Sequence, residues 1–102
     1  MHKPKNTKPQ LIREMTNGEP YEYYALGKYI VSAPGICGGR PTFKLTRLEV
    51  STILSLIASG DSIEQVVSEY KRSNLTPVAV REAIELADRA LIDSAHLYQA
   101  AG

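Results

Sequence analysis

Pro34-Gly35-Ile36-Cys37-Gly38-Gly39-Arg40-Pro41-Thr42-Phe43-Lys44-Leu45-Thr46-Arg47 divides this chain into two halves of unlike character. Three of the seven glycines and two of the six prolines fall within it. Residues 34–41 are therefore excluded from helix, because glycine is a poor helix former and proline restricts both itself and the residue before it. The segment reads as a loop. Thr42-Phe43-Lys44-Leu45 then alternates, and Lys28-Tyr29-Ile30-Val31-Ser32 has the β-branched and aromatic content of a strand. Pairing the two gives a small two-stranded ribbon over 28–45. Two strands are marginal by themselves, so the ribbon must pack on the C-terminal half of the chain.

That half has helical period. Val50, Ile53, Leu54 and Ile57 recur at i, i+3, i+4 and i+7, which predicts a helix over about 48–59 stopped by Gly60. Thr46-x-x-Glu49 has the form of a capping box for it, the alternative being a start two or three residues later. Ser62-x-x-Gln65 is a second capping box, and it opens a helix over 63–71 whose apolar stripe is Ile63, Val66, Val67 and Tyr70. A polar turn, Arg72-Ser73-Asn74, leads to a third helix over 77–98, with Thr76 as N-cap, Pro77 in the first position and Leu75 stapled to Val80. Glu82, Glu85 and Asp88 read as its solvated face. Towards the C-terminus the stripe widens through Leu91, Ile92, Ala95, Leu97 and Tyr98. This predicts either a partner or dimer surface, or a tail folded back on the N-terminal tyrosines.

Upstream of the ribbon the signal is weaker. Residues 1–20 read as a basic flexible arm, and 21–102 as one domain. Leu11 to Thr16 is a short mixed segment ending at Asn17-Gly18, a pair suited to a turn or to a helix end. Tyr21, Tyr23 and Tyr24 read as packing residues, since Glu22 among them suits a base-stacking platform poorly.

A chain of 102 residues with 43% hydrophobic and 23% charged residues is one globular domain. No apolar run nears the ~20 residues of a membrane span, and no signal segment is evident. With its single cysteine, Cys37, the expectation is a cytoplasmic protein. The net charge of +1 conceals an asymmetry: residues 1–47 hold eight cations against three acids, and residues 48–102 hold four against eight. Any polyanion is drawn to the first half. An enzyme is not expected, because His2 and His96 are the only histidines and neither a metal set nor a Cys-His pair can be assembled. No cofactor is implied. The glycines at 35, 38 and 39 lack the Lys-Ser/Thr ending of a phosphate loop.

The expected fold is thus mainly α: a three-helix helix-turn-helix bundle preceded by a small two-stranded β ribbon, a layout in which the last helix can enter a DNA major groove. The same layout also serves as a plain protein-binding unit without DNA binding.

Gly38-Gly39-Arg40-Pro41, the extended pair after it, Thr46-Arg47, Gly60-x-Ser62-x-Glu64 and Leu75-Thr76 resemble the bacterial domain-of-unknown-function family four-three-three. The resemblance covers about 21–90. Leu45 stands where the family usually has glycine before Thr-Arg, so it is either a turn residue or a packed strand residue. What the resemblance implies is a homeodomain-like helix-turn-helix and, for many members, an antitoxin role beside a PIN-type ribonuclease toxin.

On this reading the protein is a homodimeric DNA-binding antitoxin-like regulator. Asn74, Thr76 and Arg81 would face base edges, while Arg40, Lys44, Arg47, Lys71 and Arg72 would hold the backbone. A PIN-type toxin would bind a terminal segment.

Overall fold

Asn17 and Gly18 both adopt left-handed φ, 52° and 80°, and so close a tight hairpin between β1 (Ile12–Thr16) and β2 (Glu19–Ala25). Asparagine and glycine tolerate that conformation, and the resulting turn matches the twist of antiparallel strands. β2 pairs on its other edge with β3 (Ile30–Ser32), which pairs with β4 (Thr42–Phe43). The sheet is a four-stranded antiparallel meander in the order β1-β2-β3-β4. In this computed structural model the described residues are 9–101, with side chains described as far as Gln99. Residues 1–8 of the expected arm lie outside them.

The sheet overturns the expected mainly-α class. A complete antiparallel sheet precedes three helices, so the architecture is α+β and the ribbon is only its second half. The pairing of 30–32 with 42–43 is as read, through Ile30 opposite Phe43 and Val31 opposite Thr42. What composition hid is β1 and β2. Their alternation is carried by tyrosines: Tyr21 and Tyr23 are buried, while Glu19, Pro20 and Glu22 face solvent. Strand therefore begins at Ile12, inside the stretch expected to be a flexible arm.

α1 (Val50–Ala58), α2 (Ile63–Glu69) and α3 (Pro77–Ala101) complete the chain. Gly60 at φ 110° ends α1, and the Gly60 and Asp61 N–H groups donate to Ile57 and Leu56. The Ser62 capping box forms in both directions, at 3.0 Å to Gln65 N and 2.7 Å back to Ser62 N. The box expected at Thr46 and Glu49 does not form. Glu49 is the N-cap residue without a side-chain cap, and Thr46 is used in the preceding turn.

Helices and sheet meet in one core. Ile30 and Phe43 from the sheet pack with Val50 and Ile53 of α1, Val66 of α2, and Leu75, Ala79, Val80 and Ala83 at α3. A smaller cluster of Tyr21, Tyr23, Val31 and Ala33 forms a separate core, with the tyrosine ring centroids 5.1 Å apart.

Glu82 corrects another expectation. It is not a solvated residue: its carboxylate accepts from the Lys28 N–H at 2.8 Å and the Tyr29 N–H at 2.7 Å, tying α3 to the turn between β2 and β3. α3 has 25 residues, about 37 Å of helix at 1.5 Å per residue. It runs on to Ala101 instead of folding back, and Leu91, Leu97 and Tyr98 are 72–80% exposed.

Candidate nucleic-acid interface

Two turns with left-handed residues face one another across a groove of about 570 Å³. One joins β4 to α1. There Leu45 has φ 66° and directs its N–H to the Tyr21 hydroxyl at 2.8 Å. Thr46 donates its hydroxyl proton to the Phe43 carbonyl at 2.7 Å and accepts from the Leu48 N–H at 3.0 Å. Lys44 N–H donates to the Tyr29 carbonyl at 2.9 Å. With so many backbone groups fixed, the Cα position of Arg47 is set. Its side chain is exposed on the groove rim.

The opposite wall joins α2 to α3. A single 3-10 turn over Lys71–Ser73 ends at Asn74, whose φ of 57° reverses the chain, and whose N–H donates to the Lys71 carbonyl at 3.0 Å. Thr76 caps α3 by accepting from the Ala79 N–H at 3.3 Å. Tyr29, Phe43 and Ala79 form the floor.

Of the eight residues assigned to DNA from the sequence, Lys44, Arg47, Arg72, Asn74 and Thr76 line this groove. Lys71 and Arg81 are exposed outside its lining. Arg40 is committed elsewhere. Its guanidinium donates to both Glu49 oxygens, at 2.9 and 3.2 Å, across the start of α1. That pairing lifts Arg40 above its ordinary pKa and holds Glu49 below the usual carboxylate value. The Gly-Gly-Arg-Pro segment is therefore tied to the start of α1 by an exposed ion pair, and Arg40 lies outside the lining of the groove.

Lys44 is shared. Its ammonium lies 4.9 Å from the centre of the Tyr23 ring and 3.5 Å from Glu14. The Tyr23 side chain, and after it Glu14, raise its pKa. The Tyr23 hydroxyl donates to Glu14 at 2.7 Å and is the main reason Glu14 titrates low, with Lys44 adding to it. Arg47 and Arg72 are the groove's cations with no ion-pair partner among the described residues.

Residues 30–87, more than half of the chain, match the family described as Protein of unknown function (DUF433). The chain belongs to the DUF433 family. No curated protein and no solved structure matches it. The DUF433 span contains both groove walls, whereas β1, β2 and the end of α3 lie outside it. Tyr21, which fixes the Leu45 turn, is thus supplied from beyond the family span.

Sequence reasoning misses two positioning residues. Tyr21 reads as packing alone, and no local signal marks its hydroxyl as the acceptor for a turn 24 residues away. Glu82 sits at an ordinary surface spacing on α3. The sequence leaves Leu45 open between turn and strand, and its φ decides for the turn. Among the described residues no cluster of three or more metal-ligating side chains is present, and no helix is long and apolar enough to cross a membrane.

Proposed function

We propose that this chain is a non-enzymatic, cytoplasmic DNA-binding regulator of the antitoxin type that holds nucleic-acid backbone in the groove between the β4–α1 turn and the α2–α3 turn. The observation that carries this reading is the convergence of Lys44, Arg47, Arg72, Asn74 and Thr76 on one groove from turns about 30 residues apart in the sequence. Arg47 and Arg72 are free to neutralise phosphates, and Asn74 and Thr76 offer hydrogen-bonding groups between them. Contact is confined to the first turns of α3. Further along, Glu85 and Asp88 are exposed and would repel a polyanion. The partner assigned to it, a PIN-type ribonuclease toxin binding a terminal segment, rests on the resemblance to the family.

Fluorescence anisotropy with a duplex from the protein's own promoter tests the reading. Binding is expected at low salt, both alone and with the cognate toxin. Arg47→Ala and Arg72→Ala should each weaken it and lower the salt slope by about 1. Arg40→Ala should leave affinity nearly unchanged. Absence of binding at low salt in both states, or indifference to Arg47 and Arg72, would leave a protein-interaction module without DNA binding.

A further inference from the structure

The stripe that seats α3 on the domain does not stop where the domain stops. Ala79, Val80 and Ala83 are buried, and Leu86 and Ala87 are half-buried. At the same spacing of three and four residues, the stripe continues as Ala90, Leu91, Ser94, Leu97 and Tyr98, all exposed. Leu91 and Leu97 are each 72% exposed and Tyr98 80%. Ile92 and Ala95, assigned with them from the sequence, point to another side of the helix, so the exposed apolar line is narrow and continuous with the core face. Where it leaves the domain it borders an apolar groove of about 430 Å³, walled by Leu26, Val50, Leu54, Leu86 and Ala90.

We propose that this line and groove form a two-fold interface between two copies of the chain, with the ends of α3 packed antiparallel and Ser94 meeting Ser94 of the other copy. The spacing selects both the occupant and the register. An antiparallel helix pair centred on residue 94 sets Leu91 opposite Leu97 and the small Ala90 opposite the large Tyr98, twice over by symmetry. The large Tyr98 thus faces the small Ala90, and Ser94, also small, occupies the closest approach. Tyr98 of the second copy arrives at the level of Ala90, where the groove opens. No charged residue stands on the line itself. Arg89 and Asp93 flank it at the groove margin, where they stay solvated. Burying both lines and both grooves removes roughly 1,000–1,200 Å² from water, at the lower bound for a specific dimer. The interface lies on α3 away from the groove at its N-terminal end and does not depend on nucleic-acid binding.

Sedimentation equilibrium of the full chain, without DNA, reads the prediction directly. The wild type should be a dimer at tens of micromolar. Leu97→Glu, at a position exposed in the single copy, should weaken association at least tenfold with unchanged circular dichroism. Register is read by cross-linking in a Cys37→Ser background: Ser94→Cys should give a disulfide dimer on mild oxidation, and Ile92→Cys should not. A wild type monomeric at 100 µM would overturn the proposal, as would a dimer indifferent to Leu97→Glu or one that cross-links through residue 92. A chain monomeric alone that uses Leu97 only with a toxin would overturn it in favour of that partner.

Discussion

An alanine Cβ built at Gly27 lies 2.6 Å from the Glu82 carboxyl carbon and 2.7 and 2.8 Å from its oxygens. No retained position of that carboxylate tolerates the methyl. To reach ordinary contact it must retreat by close to 1 Å, lengthening both hydrogen bonds from Lys28 and Tyr29. Hydrogen bonds to a charged acceptor contribute about 1.5–3 kcal/mol each where shielded, and the one from Lys28 is exposed, so Glu82→Ala should destabilise by about 2–3 kcal/mol in total. Gly27→Ala alone should lose about 1–2 kcal/mol after allowing for the ~0.5 kcal/mol it regains by restricting the unfolded chain. In the Glu82→Ala background the obstacle is gone and Gly27 is not left-handed, so the same alanine should be neutral or slightly stabilising. Urea unfolding of the wild type, both single variants and the double variant by circular dichroism gives the coupling, expected at about 1–2 kcal/mol. Equal effects of Gly27→Ala in both backgrounds would refute the assignment of Glu82 as the tether between α3 and the sheet.

Leu45→Gly should stabilise by about 0.5–1 kcal/mol, because a left-handed non-glycine residue carries ~1–2 kcal/mol of strain against ~0.5–1 kcal/mol for glycine's greater freedom when unfolded. Leu45 is 56% exposed and surrenders little packing, and a melting temperature that falls would show the φ assignment wrong. Glu14 and Glu49 titrate below the ordinary 4.5 in the folded chain, through Tyr23 and Arg40 respectively. Each favours the folded state while ionised, fully above pH 4.5 and progressively less as pH falls through the lowered folded values. The melting temperature should therefore hold from neutrality to about pH 5 and drop below it, with Glu49→Gln flattening the acid limb and added salt doing so in part.

The helices were legible because their signals are local. A capping box, a proline in the first turn and an apolar stripe at spacing three and four lie within one or two turns of each other, and α2 and α3 begin at Ile63 and Pro77 accordingly. β1 and β2 were not legible, because a strand needs a partner before its alternation means anything, and here the alternation is written in tyrosines that suit a surface equally well. The groove was legible only in parts. Arg47 and Arg72 could be picked out by charge, but nothing in the chain order says that Arg40 would turn away to Glu49 while Arg72 would arrive opposite Arg47.

By itself, then, the sequence determined the family, through Gly-Gly-Arg-Pro and Thr-Arg, the N-caps of α2 and α3, and the apolar stripes of α1 and α2. Tertiary structure alone decided that the protein is α+β, that Tyr21 and Glu82 fix turns 24 and more than 50 residues away, and that five residues from two turns share a groove. The physical reason is range. Hydrogen bonds within a helix or cap close over three or four residues and leave a pattern along the chain, whereas strand order and side-chain-to-backbone tethers are fixed by which surfaces meet once the core of Ile30, Phe43, Ile53, Val66 and Val80 has closed.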